Sequence, residues 1–366
     1  MGEADSKPSG QELALRNRPS RRNFLKGSAA VAVCSLRARV SVAASANSIE
    51  PALVVAASKE GKVVWYTSVD LPLAEKVARD FEAKYSGISV RVERTGSERL
   101  FQRIEQEFSS GIHSGDLVNT SDGAHFVVWK RTGRLERYLP IEAARFLPEK
   151  EVDPDHMFMS WRSSLSVIAY NSTLVRSEEA PRSFKDLLDP KWLGRIVKGH
   201  PAYSGTIMSA TFQIARELGW EYLQELARQR VLQVQSSTEP PKKLLLGERA
   251  VMADGNEYNV FQMRESGQPL EIVYAAEGTP VITGPSAVFK TAPHPNAARL
   301  FQHYLFAPET QQMICDLGGL RSSYPTIREK LGRKPLREIK LMDDDPVSIA
   351  EQSEAIKARY IRIFGV

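Results

Sequence analysis

The sequence predicts an α/β protein with a mainly parallel sheet and two lobes, and three observations support that prediction. Short apolar runs such as "KVVWYT" alternate with amphipathic stretches of roughly 10 to 15 residues, a pattern that is typical of a parallel sheet. Hydroxyl residues follow three of the predicted strands. Even without its first 46 residues, the chain of 366 residues is longer than one hydrophobic core usually requires, which favours two lobes.

The elements follow one another in a regular order. After "KVVWYT", the residues Leu73, Val77 and Phe81 recur every four positions and predict one face of an amphipathic helix. The strand "ISVRVE" precedes the helical pattern "SERLFQRIEQEF", and "GDLVN" is a third strand. In the second half, "SLSVIAYN", "ERAVMAD" and "LEIVYAA" are strands, and "NAARLFQHYLF" is a helix. The C-terminal residues from Ser348 onward have helical spacing and are expected to dock on a lobe.

Hydroxyl groups stand at the predicted carboxyl ends of the first three strands. In open α/β sheets, ligands bind beyond the carboxyl ends of the strands, so these groups are candidate ligand-binding residues. They are Thr67, Ser68, Thr95, Ser97, Thr120 and Ser121.

The segment "YSGTIMSATFQIARELG" predicts another helix that begins at Ser204, Gly205 and Thr206. The free backbone N–H groups of a helix N-terminus can bind an anion. An ordinary serine N-cap would satisfy the same donors without any ligand. The spacing alone leaves both interpretations open.

The N-terminal run "SRRNFLKGSAAVAVCSL" is typical of an export signal. Arg21 and Arg22 precede a short apolar stretch, and the motif Ala-Ser-Ala at 44–46 is a candidate cleavage site. The paired arginines predict a twin-arginine signal over residues 1–46, with cleavage before Asn47 and release into the periplasm. A basic N-terminal arm is the alternative. The apolar run is shorter than the ~20 residues that a membrane span requires.

Composition excludes several classes of protein. Residues 1–46 carry eight Lys or Arg and three Asp or Glu, which leaves 41 residues of each sign in the rest of the chain. Without a basic excess, we expect no nucleic-acid partner. Only Cys315 follows the signal, so an intrachain disulfide and a cysteine-based zinc site are excluded.

No familiar catalytic motif occurs in the sequence, which has no H-E-x-x-H, Walker A, G-x-S-x-G or dinucleotide fingerprint. We therefore expect no catalytic residues and no enzyme activity. Arg321 in "GGLRSSYP" is a candidate clamp for a carboxylate or phosphate, because a guanidinium donates two parallel hydrogen bonds. Tyr258 in "GNEYNVFQM" is either a ligand-binding residue or a core aromatic residue.

Several segments resemble the periplasmic solute-binding proteins of ABC importers, in the branch that includes binders of ferric iron, phosphonates and organic phosphates. The resemblance runs from about residue 61 to 330, and its most specific stretch is "GTPVITGPSAVFKTAPHPNAARLFQHYLFAPETQQMI". It implies a type II two-lobed fold with crossover strands near Ser164–Ala169 and Ile272–Glu277. It also implies capture of a small solute, delivery to an ABC permease at the inner membrane, and a monomer.

These expectations give a division of the chain. Residues 1–46 form the signal, residues 47–164 and 277–330 form lobe 1, and residues 165–276 and 331–366 form lobe 2.

The resemblance leaves the solute open. Ferric binders of this family share adjacent tyrosine ligands, whereas Tyr258 has Glu257 and Asn259 as its neighbours. The expected solute is therefore an organic phosphate, phosphonate or carboxylate, and the resemblance favours ligand contact by Ser204–Thr206. No cofactor and no metal site is expected; the alternative is a ferric ion, bound as the solute by Tyr258 and Glu257. A periplasmic enzyme on the same scaffold is the alternative of another class, because twin-arginine export often carries cofactor-containing proteins.

Overall fold

The computed structural model describes residues 49–366, and the predicted signal over residues 1–46 lies outside them. In chain order the strands are β1 (Lys62–Thr67), β2 (Ser89–Arg94), β3 (Leu117–Asn119), β4 (Met159–Leu165), β5 (Ile168–Asn171), β6 (Ile196–Gly199), β7 (Leu232–Val234), β8 (Val251–Asp254), β9 (Leu270–Val273), β10 (Thr279–Val288) and β11 (Leu341–Met342). The α-helices are α1 (Pro51–Glu60), α2 (Leu71–Lys84), α3 (Ser97–Ser109), α4 (Gly123–Arg131), α5 (Ile141–Phe146), α6 (Gly205–Arg228), α7 (Pro240–Leu245), α8 (Glu257–Glu265), α9 (Pro295–Phe306), α10 (Pro308–Asp316) and α11 (Pro346–Phe364).

The strands form two sheets. In the first sheet the order is β2-β1-β3-β10-β11, and β4 also pairs with β10. Strands β1, β2 and β3 are mutually parallel, whereas β10 runs antiparallel to β3 and β4. In the second sheet the order is β7-β6-β8-β5-β9, with β7, β6 and β8 parallel and β5 antiparallel to both of its neighbours. Among these parallel strands, β1, β2, β3 and β8 are ones that the sequence predicted, whereas β7 was not predicted.

The chain passes from one sheet to the other at two places. Strand β4 belongs to the first sheet and β5 to the second, with Ser166 and Val167 between them. Residues 274–278 lead back from β9 to β10. The two connections lie side by side, since the Ser166 amide donates to the Pro280 carbonyl at 3.0 Å. Both are where the resemblance placed the crossovers.

Each sheet is covered by apolar side chains. Trp65 of β1 packs edge to face against Phe301 of α9, with ring centroids 5.2 Å apart, and Phe81 of α2 contacts the same ring at 4.9 Å. Leu73, Val77 and Phe81 are all buried, as their spacing predicted. Within residues 49–366, no helix combines the length and apolar character that a membrane span needs.

The C-terminal segment contacts elements of both sheets. Strand β11 pairs with β10, and Lys357 of α11 lies 3.2 Å from Glu98 of α3. On the other side, the Tyr360 hydroxyl donates to Gln233 at 2.8 Å. The division into lobes stays a prediction, and residues 331–366 make contacts beyond the lobe to which that division assigned them.

Candidate functional site

A cavity of about 280 Å³ lies between the two sheets, where loops after β1, β2 and β3 face the start of α6 and α8. Side chains from both halves of the chain line it. Six of the sequence-predicted residues are among them: Ser68, Ser97, Ser121, Ser204, Thr206 and Tyr258. The residues predicted from the strand ends and those predicted from the helix start therefore line the same cavity.

Three predicted hydroxyl residues do not line the cavity. Thr67 is fully buried, and its Oγ1 accepts a hydrogen bond from the Val69 amide at 3.2 Å. Thr120 Oγ1 donates to the backbone carbonyl of Asp122 at 3.1 Å. Thr95 is joined to Thr67 through its backbone amide. These residues shape the loops that carry their cavity-lining neighbours.

Arg321 lies outside the cavity, in a buried ion-pair network. Its guanidinium donates to both carboxylate oxygens of Glu257, at 2.9 and 2.6 Å, and to Glu329 at 2.5 Å. Arg333 donates to the same Glu257 carboxylate at 2.6 Å. The expectation that Arg321 clamps the ligand is corrected by this geometry, because its donors are already occupied by carboxylates.

The same network removes Glu257 from the candidate metal ligands. Burial raises the pKa of its carboxyl, but hydrogen bonding to Arg321 and the charge of Arg333 outweigh burial and lower the pKa to about 2. Glu257 is fully buried, whereas its neighbour Tyr258 lines the cavity. Consecutive residues of a helix point about 100° apart, so the two side chains do not converge.

Tyr258 lies at the junction of the two halves of the chain. Its hydroxyl donates to Asp70 at 3.4 Å, and Asn259 Nδ2 donates to the other Asp70 oxygen at 2.9 Å. Burial, followed by the nearby Asp70 charge, raises the pKa of the Tyr258 hydroxyl above its ordinary value. The phenol is thus held in its neutral form.

Arg162 is the main cavity residue that the sequence analysis did not select. It lies on β4 and lines the cavity, yet the residue is only 4% exposed. Within residues 49–366 its side chain has no hydrogen bond and no carboxylate within 4.0 Å, and its Nε is buried without a partner. Burial lowers the pKa of this guanidinium, and it outweighs the opposite effect of Tyr258 and of the Asp70 charge beyond 4.0 Å. Its stem packs against Gly284, where a Cβ would lie 2.7 Å from Arg162 Cγ.

The start of α6 meets the loops of the first sheet directly. The Gly205 amide donates to Ser97 Oγ at 3.1 Å, and Ser97 and Ser121 share a hydrogen bond of 3.0 Å. Ser204 makes no side-chain capping bond to its own helix. The N-cap alternative therefore lacks its hydrogen bond, and the Ser204 side chain faces the cavity instead.

A buried cluster of charged groups lies beside this junction. His125 Nε2 is 3.0 Å from Glu98 and 3.8 Å from Asp122, and Lys357 is 3.2 Å from Glu98. Three of these residues offer ligand atoms within 4.8 Å of one another, the spacing of a metal site. Each carboxylate, however, already has a partner: Lys357 and His125 pair with Glu98, and Asp122 accepts from the Ala124 amide at 2.9 Å. Burial raises the pKa of Asp122 to about 7.

Comparison with known proteins defines the class. The family model described as bacterial extracellular solute-binding protein matches residues 128–348, and a twin-arginine translocation signal matches residues 18–36. The chain belongs to this family of solute-binding proteins. It is the periplasmic solute-binding component of an ABC transporter and carries a twin-arginine export signal. The predicted class, export route and localisation are confirmed.

Two relatives are similar to this chain, and the name of one of the two refers to iron uptake. The chain is 24% identical over 308 residues to an uncharacterized protein of Haemophilus influenzae, covering 81% of this chain and 84% of that one. It is 24% identical over 248 residues to Iron uptake protein A1 of Synechocystis sp., covering 63% of this chain and 67% of that protein.

Solved structures show the same fold. The periplasmic binding protein AfuA from Actinobacillus pleuropneumoniae, with exogenous fructose-6-phosphate bound, has a TM-score of 0.76 at 23% identity, covering 84% of this chain and 99% of that one. Iron-bound HitA from Pseudomonas aeruginosa has a TM-score of 0.72 at 20% identity, covering 82% of this chain and 99% of that one. The predicted type II periplasmic binding fold is confirmed.

Proposed function

We propose that the solute is a small phosphorylated organic anion, whose phosphate group binds Arg162 and the hydroxyl groups around it. The observation that carries the proposal is the buried guanidinium of Arg162, which has no anionic partner among residues 49–366. A buried charge without a partner is costly, and its burial in a ligand cavity is explained if the ligand supplies the missing anion. A guanidinium also matches the geometry of phosphate oxygens.

The rest of the cavity supports an anionic group. Ser68, Ser204 and Thr206 offer hydroxyl donors in the cavity, and the hydrogen-bonded pair Ser97–Ser121 leaves one hydroxyl proton free to donate. The N-terminus of a helix favours negative charge. AfuA, which has the same fold, was solved with fructose-6-phosphate bound, and this agrees with the proposed class of solute.

A ferric ion is the second candidate, and Tyr258 beside Asp70 is the observation that favours it. Both could offer oxygen ligands, and a relative is named as an iron uptake protein. Three features weigh against it. Glu257 is bound by Arg321 and Arg333, and the Tyr258 phenol has a raised pKa. The positive guanidinium of Arg162 also lines this cavity, where it would repel a ferric ion.

The protein binds its solute without changing it and works as a monomer. The family and the relatives with solved structures are binding proteins, which supports binding without chemical change, whereas the monomeric state stays a prediction. Enzyme assay of the purified protein with each solute that binds is its test, and product formation would contradict it.

A thermal-shift screen tests the proposal. Residues 47–366, freed of bound solute by partial unfolding and refolding, would be heated with sugar phosphates, phosphonates, carboxylates, sulfonates and ferric citrate. A true solute at a hundred times its Kd adds about 2.7 kcal/mol of stability and raises the melting temperature. We expect the shift with a sugar phosphate and none with ferric citrate.

The matched variants are Arg162→Gln and Arg176→Gln. Losing a charged hydrogen-bond partner costs about 1.5–3 kcal/mol, so Arg162→Gln should weaken phosphate binding roughly ten- to a hundredfold. Arg176 is an exposed arginine that pairs with Glu179 outside the cavity, and its variant should bind like the wild type. A shift with ferric citrate alone that Tyr258→Phe removes would reject the phosphate proposal.

A further inference from the structure

The cavity concentrates positive charge in a molecule that is otherwise balanced. After residue 46 the chain has 41 basic and 41 acidic residues. Four cationic side chains nevertheless line this cavity, namely Arg94, Arg99, Arg162 and Lys242, against one carboxylate, Glu239. The local excess needs an explanation beyond overall composition.

The four cations differ in depth and in their partners. Arg162 is buried, whereas Arg94, Arg99 and Lys242 are exposed to solvent; Arg99 and Lys242 are here called the mouth cations. Arg94 is partly engaged, because its Nε donates to the Val69 carbonyl at 3.1 Å and its Nη2 lies 3.7 Å from Asp70.

The two mouth cations, Arg99 and Lys242, form no ion pair with a carboxylate of the described residues. Arg99 donates only to the neutral amide oxygen of Gln235, at 3.1 Å. Among residues 49–366, neither Arg99 nor Lys242 has a carboxylate within 4.0 Å. Arg99 belongs to α3 of the first half and Lys242 to α7 of the second, so a group between them would touch both sides of the cavity.

One phosphate group does not account for both ends of this cavity. A phosphomonoester carries a charge of about −1.5 to −2 at pH 7, which suits Arg162 and the hydroxyls around it. The mouth cations then remain uncompensated on the solvent side of the same space.

We propose that the solute carries a second acidic group, a carboxylate or another phosphate, at the end opposite the first, and that Arg99 and Lys242 bind it from the two sides of the cavity. This inference rests on the proposed function, because it takes the Arg162 end as the first anionic subsite.

Two matched pairs of probes test it by calorimetry at about 0.15 M salt, where long-range attraction is screened. They are glycerol 3-phosphate with 3-phosphoglycerate, and glucitol 6-phosphate with 6-phosphogluconate. Within each pair the second compound adds a carboxylate at the far end. We expect that compound to bind at least about tenfold more tightly in one or both pairs, which is the effect of one charged hydrogen-bonded contact.

The double variant Arg99→Gln/Lys242→Gln should reduce this preference to less than about threefold, because the doubly acidic compound loses more affinity than the singly acidic one. Lys243→Gln is the control, since it removes the same charge from the same helix while Lys243 pairs with Glu248 outside the cavity.

The outcomes separate the two proposals. If no phosphorylated probe binds, or if Arg162→Gln has no effect, the proposed function fails. If the probes bind through Arg162 and the two members of each pair bind equally, only the second acidic subsite is rejected. Equal weakening of both members by the double variant also rejects it, because the mouth cations would then act only by general attraction.

Discussion

Arg162 and Arg321 show how one residue type serves two purposes in this molecule. Both are buried, at 4% and 2% exposure. Arg321 is held by Glu257 and Glu329, so its charge is compensated within the fold. Arg162 has no side-chain hydrogen bond and no ion-pair partner among the described residues, and the more distant Asp70 charge offsets its own only in part. Arg321 therefore has a structural role, whereas Arg162 is available to a ligand.

Glu257 should be a strong contributor to stability. Glu257→Gln leaves Arg321 and Arg333 without their shared carboxylate, and removing one partner of a buried ion pair costs about 3–5 kcal/mol. We expect a correspondingly lower urea midpoint at pH 7. Arg162→Gln is the contrasting variant, since it removes an uncompensated buried charge and should leave the midpoint equal or higher.

The same residue gives a pH dependence. The pKa of Glu257 is lowered from 4.5 to about 2 in the folded protein, so its stabilising effect is complete above pH 4.5 and is lost as the pH falls toward 2. Urea unfolding between pH 7 and pH 2.5 should show a smaller decline for Glu257→Gln than for the wild type. Parallel curves for the two proteins would contradict this role.

Sequence patterns predicted several hydroxyl residues that line the cavity, but they did not predict Arg162 there. Serine and threonine at strand ends can be placed from strand–helix alternation alone. Arg162 lies inside the strand "MSWRSSL", and the direction of its side chain depends on the irregular pairing with β10 at Gly284 and Pro285. Arg321 and Glu257 are 64 residues apart, so their ion pair cannot be predicted from local sequence.

Among the elements, helix α6 determines how closely the two halves of the chain approach. Gly205 at its first position lies against the loop before α4, where a Cβ would be 2.6 Å from the Asp122 Cβ and 3.0 Å from Ser97 Oγ. The sequence predicted where this helix begins. It could not predict the contact with Ser97, which joins residues 108 positions apart.

Gly205→Ala should therefore weaken ligand binding while the fold is retained. Alanine favours the helix, but its methyl group must displace atoms across the junction, and such overpacking costs about 1–3 kcal/mol. We expect a Kd raised roughly five- to a hundredfold, measured by calorimetry with the best solute of the thermal-shift screen.

Gly96→Ala is the matched control for this test. A Cβ at Gly96 would lie 3.7 Å from the Tyr203 carbonyl, which is an ordinary contact across the same junction. Gly96 itself lines the cavity, but its methyl group causes no clash across the junction, so this variant should weaken binding less than Gly205→Ala does. If Gly205→Ala binds like the wild type, the close approach of α6 is not needed for binding.

Across the whole molecule, contacts between the two halves of the chain surround the ligand cavity. Asn259 binds Asp70, Arg99 binds Gln235, and Gly205 binds Ser97. A solute that touches both sides adds to these contacts and favours the closed arrangement over an open one. Capture of the solute and closure around it are then one equilibrium.

The two-lobed fold could be predicted because alternation of strands and helices, together with length, is recorded along the whole chain. The C-terminal segment was less predictable. Its helical spacing in α11 was clear, but its contacts with Glu98 on one side and Gln233 on the other depend on the assembled fold. Sequence periodicity predicts that a face is buried and does not identify what buries it.

Elemental analysis distinguishes a phosphorylated solute from iron in this cavity, and we expect the phosphorylated solute. Protein purified from the periplasm without refolding would be washed by gel filtration, and its phosphorus and iron contents measured by plasma mass spectrometry against protein concentration. Our account predicts bound phosphorus approaching one or two atoms per molecule, lost in Arg162→Gln, with iron near zero. One iron atom per molecule, lost in Tyr258→Phe and retained in Arg162→Gln, would contradict it.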